Sequence, residues 1–332
     1  MSASTFRVAR PVPSSSLITN DAPEPTRPGV FRYPSLTTTV PKEFVHRASV
    51  AEVLLTDWER TDESRLSMTA QWPRGHSFFT AVDGYHDPLI AAETIRQAGL
   101  LLAHAEFGVP LGHHFLMWDL HVDVCPEQLL MGSAPASLHL DITCSDIKWR
   151  GSSLTGLHYE VVIRRHGRPV AAGGASFTCT SPAVYRRVRA NRTLDGDCPQ
   201  LLALTAPVAP QSVGRMSPRD VVLTPVGEDN RWQLRVDTRH PVLFDHPVDH
   251  VPGMVLIEAA RQATAAALDR PALPLGIAST FGRYAELDTP CVIEARRLPG
   301  DSSDGGDCVL VTGHQMDEPV FRSVVTVAST AV

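Results

Sequence analysis

The pattern Glu-x-x-Arg-Gln occurs twice, at Glu93-Thr94-Ile95-Arg96-Gln97 and at Glu258-Ala259-Ala260-Arg261-Gln262, each inside an apolar segment of helical character. Three matching positions constrain little by themselves; the flanks constrain much more. The segment Val45-His46-Arg47-Ala48-Ser49-Val50-Ala51-Glu52-Val53-Leu54-Leu55-Thr56 can be laid over Val213-Gly214-Arg215-Met216-Ser217-Pro218-Arg219-Asp220-Val221-Val222-Leu223-Thr224 at one constant offset. Valine, arginine, serine, an acid, valine, leucine and threonine then coincide. Trp72-Pro73 and His240-Pro241 keep the offset, and the helix pair follows after a loop three residues shorter in the second copy. The chain reads as one fold written twice. A carboxylate placed alike in two apolar helices points toward chemistry.

At 332 residues the chain can hold two ordinary domains, each with its own core. No apolar run approaches the ~20 residues that cross a bilayer, and no charged stretch followed by an apolar one marks a secretory N-terminus. The six cysteines (125, 144, 179, 198, 291 and 308) show no Cys-x-x-Cys spacing. That argues against a zinc site or a disulfide framework and fits a reducing cytoplasm. A formal net charge of -6 gives no reason to expect nucleic-acid binding. Neither a cofactor nor a metal is expected.

Residues 1–40, rich in Ser, Thr and Pro, read as a loose tail. Two folded units are expected, 41–184 and 212–332, joined by a basic, helix-breaking connection over 185–211. In the first unit Arg65 to Gln71 reads as a strand and Pro88 to Phe107 as a helix that Gly108 stops. That helix is apolar over much of its circumference and so should be enclosed. Strands are predicted over Phe115 to Val124, Ser137 to Trp149, Leu157 to Arg165 and, after a turn at His166-Gly167-Arg168, Val170 to Thr180. The second unit repeats the order: a strand near Trp232 to Asp237, a helix from Pro252 to Leu268, then strands near Gly276 to Glu286, Cys291 to Arg297, Cys308 to Gln315 and Val320 to Ser329. One long helix followed by an antiparallel meander is an α+β pattern.

From Pro252-Gly253 to Gln262 the chain looks like the hot-dog acyl-ACP dehydratases, in which a Pro-Gly turn starts the central helix and a glutamate follows. Those enzymes carry a histidine where Phe244 stands here, which argues against a plain dehydratase. Val45-His46-Arg47, Asp83-Gly84-Tyr85-His86-Asp87-Pro88, Glu93 to Ala98 and Asp245-His246-Pro247 to Met254 together resemble the A-factor synthase (AfsA) family, in order, over nearly the whole chain from about residue 40. The resemblance implies a double hot-dog fold and a cytoplasmic acyltransferase. The implied reaction joins a β-ketoacyl group from acyl carrier protein to dihydroxyacetone phosphate, on the way to γ-butyrolactone, butenolide or furan signals. A dehydratase, a thioesterase or a non-catalytic acyl-binding protein are the alternatives. The internal pair fits either a monomer or a homodimer.

Positions 93, 96, 97 and 258, 261, 262 each share one helix face. A buried carboxylate one turn from an arginine can be a structural ion pair. The Pro-Gly start and the Asp245-His246-Pro247-Val248-Asp249-His250 loop favour catalysis for the second copy. Acyl transfer to an alcohol needs a base, donors for the oxyanion and positive charge for the phosphate. Glu258 is expected to be the base, made more basic by desolvation. The free N–H groups at Gly253 and Met254 can hold the thioester carbonyl. Arg261 fixes either Glu258 or the phosphate, and His246 or His250 is a second base, an orienting donor or simply a partner of its aspartate. Gln262 and the first-copy trio Glu93, Arg96 and Gln97 complete the candidates. The resemblance also implies a pocket between the copies, where Tyr85 or His86 can face Glu258. Arg283 is an interior-strand candidate for the phosphate. The run Arg186, Arg187, Arg189 and Arg192 is either a carrier-protein docking patch or a solvated linker.

Overall fold

Alternation of burial decides the long strands. In the strand Ala136–Arg150, Ala136, Leu138, Leu140, Ile142 and Cys144 are buried while the residues between them face solvent. The computed structural model describes residues 37–190, 201–299 and 306–328. Most of the expected tail, Arg192, Cys198 and most of the Gly300 to Asp307 stretch lie outside them.

The first copy contains β1 (Leu55–Arg60), β2 (Arg65–Trp72), α1 (Leu89–Leu101), β3 (His114–Val124), α2 (Pro126–Leu129), β4 (Ala136–Arg150), β5 (Ser153–Arg165), β6 (Arg168–Thr180) and α3 (Pro182–Val188). The second contains β7 (Leu223–Pro225), β8 (Arg231–Leu234), α4 (Gly253–Leu268), β9 (Pro274–Phe281), β10 (Val292–Leu298), β11 (Asp307–Gln315) and β12 (Glu318–Val327). All twelve strands form one antiparallel sheet in the order β1-β2-β4-β5-β6-β3-β9-β12-β11-β10-β8-β7. Read from either end, the order is the same fold. The seam is β3 against β9, paired from Asp119–Thr280 to Asp123–Gly276. A Cβ on Gly276 would stand 2.6 Å from Asp123 Oδ1, so a side chain there would make the Asp123 carboxylate swing aside. This is the double hot-dog arrangement: two central helices, α1 and α4, each enclosed by its half of the sheet.

Both helices are buried on nearly every face, as their apolar circumference requires. The α1 helix ends in a π turn over Leu102–Glu106, and Gly108 at φ +66° reverses the chain. The phenol of Tyr159 donates to the Ile95 carbonyl at 2.8 Å and packs where a Cβ on Gly99 would lie.

Three sequence expectations need correction. Pro182–Val188 is helical, with Pro182 at the first position and Ser181 Oγ accepting from the Val184 N–H at 3.4 Å; the cap outweighs the basic composition. Strand β9 ends at Phe281, so Arg283 lies beyond it and is exposed, paired with Glu318 at 3.1 Å. Finally, His240 corresponds to His76, whereas Trp72 belongs to β2. His76 Nδ1 accepts from the N–H groups of Phe78 and Phe79, both at 3.1 Å. His240 Nδ1 does the same for Val242 and Leu243, at 3.2 and 3.0 Å.

Candidate active site

Glu258 is fully buried and held from two sides. Arg215 donates from Nε to Oε1 at 2.8 Å and from Nη2 to Oε2 at 2.7 Å. Arg261 grips the same carboxylate from Nε at 2.9 Å and from Nη2 at 2.7 Å, and the Gln262 amide donates to it as well. The Gln262 carbonyl oxygen accepts the Val222 N–H at 3.0 Å, which ties the helix to the segment leading into β7. The first copy repeats every part. Arg47 Nη2 lies 2.6 Å from Glu93 Oε1, Arg96 donates at 2.9 and 2.8 Å, Gln97 donates at 2.7 Å, and Gln97 Oε1 accepts the Leu54 N–H at 2.9 Å.

Burial pushes both carboxyls up, but the charges and hydrogen bonds of two arginines outweigh it and bring each down to about 2. The expectation that desolvation makes Glu258 a stronger base is therefore not met. Its oxygens are occupied by guanidinium and amide donors, and neither glutamate lines a cavity. Both are the hubs of structural clamps. The clamps also interlock the copies: Arg47 Nη1 donates to the Val242 carbonyl at 3.1 Å, and Arg215 Nη1 to the Phe78 carbonyl at 2.7 Å.

The two helix starts differ. At α1, Asp87 stands before Pro88 and its Oδ1 accepts the Leu89 N–H at 2.9 Å, while its Oδ2 lies 3.3 Å from Arg215 Nη1. A carboxylate thus satisfies the first free amide of α1. At α4 the same position is Pro252, with no side-chain cap, and the residues after it are Gly253 and Met254. Their amides precede the first intrahelical bond, Val255 N–H to the Pro252 carbonyl at 2.9 Å.

This uncapped start opens on a cavity of about 280 Å³ between the copies. From the second copy it is lined by Val242 to His246, Val248, His250 to Met254 and Phe281. From the first it is lined by His46, Arg47, Arg96, the β3 residues His114 to Met117, Tyr159, Phe177 and Tyr185. At the matching place around α1, Phe78 lies over the Arg215 guanidinium at 4.1 Å and Trp72 meets the His86 ring edge-on at 5.5 Å. Phe78 and Phe79 occupy the positions that Val242 and Leu243 hold beside the open cavity, so aromatic bulk and the Asp87 carboxylate fill the first-copy counterpart.

Of the residues expected from sequence, Arg96, His246, His250, Gly253, Met254 and Arg283 line the cavity. Glu93, Gln97, Glu258, Arg261 and Gln262 do not; they lie in the clamps. Tyr85 and His86 do not face Glu258 across the interface. Tyr85 forms a bridge with Leu130, and His86 is buried against Trp72 with its pKa lowered to about 4, first by burial and then by Arg165. Arg96 uses Nε and Nη2 on Glu93 and the Val45 carbonyl, leaving Nη1 without a hydrogen-bond partner among the described residues. His246 Nδ1 is 3.4 Å from Asp245 Oδ2, and Asp245 accepts the N–H groups of Ala48 and Ser49 at 2.6 and 3.2 Å. His250 Nδ1 is 2.7 Å from Asp249. Burial pushes the Asp249 carboxyl up, yet hydrogen bonds from His250 and Tyr185 hold it well below the usual range. Arg189 is buried between Asp249 at 3.2 Å and Glu286 at 2.6 Å, which removes it from the basic run; Arg186 and Arg187 remain exposed on α3.

Sequence reasoning missed Arg47, Arg215 and His46 as site residues. The signal for the arginines was present, since they coincide in the two repeats. Among the described residues no group of three or more His, Cys, Asp or Glu side chains is placed to hold a metal.

The profile of the A-factor biosynthesis hotdog domain matches this sequence twice, over residues 32–181 and 197–331. A 2-oxo-3-(phosphooxy)propyl 3-oxoalkanoate synthase of Streptomyces virginiae is 58% identical over 293 residues, covering 87% of this chain and 98% of the relative. A synthase of the same name from Streptomyces griseus is 42% identical over 287 residues, covering 86% and 94%. Among solved structures, an acyl-ACP thioesterase from Bacteroides thetaiotaomicron superposes with a TM-score of 0.48 at 12% identity, over 79% of this chain and 97% of its own.

Proposed function

The chain belongs to the A-factor biosynthesis (AfsA) hotdog family, and from that premise we propose that it is an acyltransferase forming a 2-oxo-3-(phosphooxy)propyl 3-oxoalkanoate, the ester of a β-ketoacyl group with dihydroxyacetone phosphate. The observation that carries the site assignment is the open start of α4 above the cavity, against the Asp87-capped start of α1. A thioester carbonyl seated at the Gly253 and Met254 amides gains donors as its oxygen becomes negative. Gly253 carries no side chain beside these amides; a Cβ there would make only ordinary contact with the Phe281 ring, at 3.5 Å. Arg96, with Nη1 free of hydrogen-bond partners among the described residues, is our candidate for the phosphate, with His246 and Arg283 at the rim. Phe115, Phe177 and Phe244 give the acyl chain an apolar wall.

The lining contains no serine, threonine or cysteine among the described residues. This supports direct attack of the acceptor hydroxyl on the thioester without an acyl intermediate on serine, threonine or cysteine. We take the donor to be a carrier-protein thioester. Arg186 and Arg187 are exposed on the helix whose Tyr185 lines the cavity, and so can steer an acidic carrier. A carrier-protein thioester and dihydroxyacetone phosphate as substrates support a cytoplasmic reaction. Mass spectrometry of products formed from a β-ketoacyl thioester and dihydroxyacetone phosphate tests the reading. It expects the phosphorylated ester, with thiol release that depends on the acceptor. Thiol release without acceptor, loss of water from a β-hydroxyacyl thioester, or an unchanged thioester at every chain length would each overturn it.

A further inference from the structure

Two local irregularities, both in the first copy, bring two imidazoles together at the cavity wall. His46 sits in the left-handed region at φ 50°, ψ 54°, where the matching residue of the second copy is Gly214 at φ 66°. A histidine held where glycine is the unstrained choice marks a position chosen for its side chain. His104 lies in the π turn that extends α1, and such turns recur at functional sites. The two rings are 5.0 Å apart and their Nε2 atoms 2.8 Å apart.

The hydrogen-bond chain fixes both tautomers. His104 Nδ1 lies 2.7 Å from the Val109 carbonyl, and a carbonyl only accepts, so Nδ1 carries the proton. Neutral His104 then presents a lone pair at Nε2. The hydrogen between the rings therefore belongs to His46 Nε2, and His46 Nδ1 is the unprotonated nitrogen. That atom has no hydrogen-bond partner among the described residues, and His46 lines the cavity.

We propose, resting on the acyltransferase reading above, that His46 Nδ1 is the general base for the acceptor hydroxyl, with His104 as its positioning residue. The hydroxyl O–H bond breaks as the oxygen attacks the thioester carbon, and His46 Nδ1 takes the proton. The tetrahedral oxyanion rests on the α4 amides. Its collapse breaks the C–S bond, and His46 returns the proton to the departing sulfur, leaving ester and free thiol. The groups facing His46 are His104 and Arg96 of the α1 segment, His114 of β3 and His246 of the second copy. Burial and then these neighbours lower its pKa to about 3, so the unprotonated form is present throughout the physiological range. The phosphate of a bound acceptor opposes the Arg96 charge and so removes one of these lowering effects, which raises the basicity of His46 in part.

The test is His46→Gly, which removes the ring and installs the residue that the second copy carries at the same backbone conformation, Gly214, with folding checked by calorimetry. With wild-type protein forming the ester, we expect kcat to fall by about 100-fold or more, with partial recovery on adding free imidazole. His104→Leu should lower kcat with little change in KM, and His104→Gln, whose carbonyl can accept from His46 Nε2, should recover most of it. Retention of more than about a tenth of kcat by a folded His46→Gly, or loss that imidazole cannot restore, overturns the base assignment. Failure of the wild-type protein to make ester is a different result and overturns the acyltransferase reading.

Discussion

Copying the first repeat's cap into the second should stabilise the protein and inactivate it at once. In Pro252→Asp the backbone at φ -59°, ψ 143° already suits a capping residue, and the new carboxylate would reach the Met254 N–H as Asp87 reaches Leu89 at 2.9 Å. Its second oxygen would face Arg47 as that of Asp87 faces Arg215. An aspartate cap contributes about 1 kcal/mol, which for a chain of this size raises Tm by about 1–3 °C. The same carboxylate fills the place proposed for the thioester oxygen. Removing a single oxyanion donor elsewhere costs about 100- to 1,000-fold in rate, and here a negative charge also replaces the vacancy. Calorimetry and acceptor-dependent thiol release on one preparation read both effects. Pro252→Ala, with no cap and no charge, should melt no higher than wild type and keep activity. A Pro252→Asp protein that melts higher yet turns over normally would refute the placement of the carbonyl at α4.

Glu258→Ala leaves Arg215 and Arg261 buried without their counterion and should cost about 3–5 kcal/mol of stability; an unchanged Tm with activity lost would instead revive Glu258 as a catalytic group. Both clamp carboxyls fall from 4.5 to about 2 in the folded protein. Because the folded values are depressed, their contribution is fully present above the unfolded pKa and disappears as pH falls from about 4.5 toward 2. Roughly 3 kcal/mol per glutamate is at stake, and denaturant melts across that window should show it; a flat profile would count against the clamps. Arg186→Glu with Arg187→Glu should raise KM several-fold for a carrier-protein thioester at low salt, much less at high salt, and not at all for a small thioester. Equal effects on both donors would remove α3 from carrier docking.

Repeated motifs and long amphipathic or apolar periods made both central helices and most strands legible in the sequence. They also exposed the difference between His86-Asp87-Pro88 and Val251-Pro252-Gly253. What the sequence hid was pairing at a distance. Glu258 looked catalytic because a Pro-Gly start and an Asp-His loop precede it; the second arginine, Arg215, comes from a separate segment and closes the carboxylate completely. His46 and His104 approach only because one adopts a strained backbone and the other a π turn, and neither distortion has a side-chain pattern that spacing can reveal. The His76 correspondence was hidden for a related reason: backbone hydrogen bonds fix it, whereas residue identity favoured Trp72-Pro73.

The unequal helix starts are an arrangement that two identical subunits could never adopt. In a homodimer every substitution appears at both ends of the interface, so both helices would be plugged or both exposed, and a tryptophan or phenylalanine inserted to brace one cavity would block its twin. Fusing the copies into one polypeptide removes that obligation. One end can harden with Asp87, Trp72 and Phe78 while the other stays hollow. The chemistry should accordingly count one substrate per chain, and an inhibitor that titrates the site should saturate at that ratio.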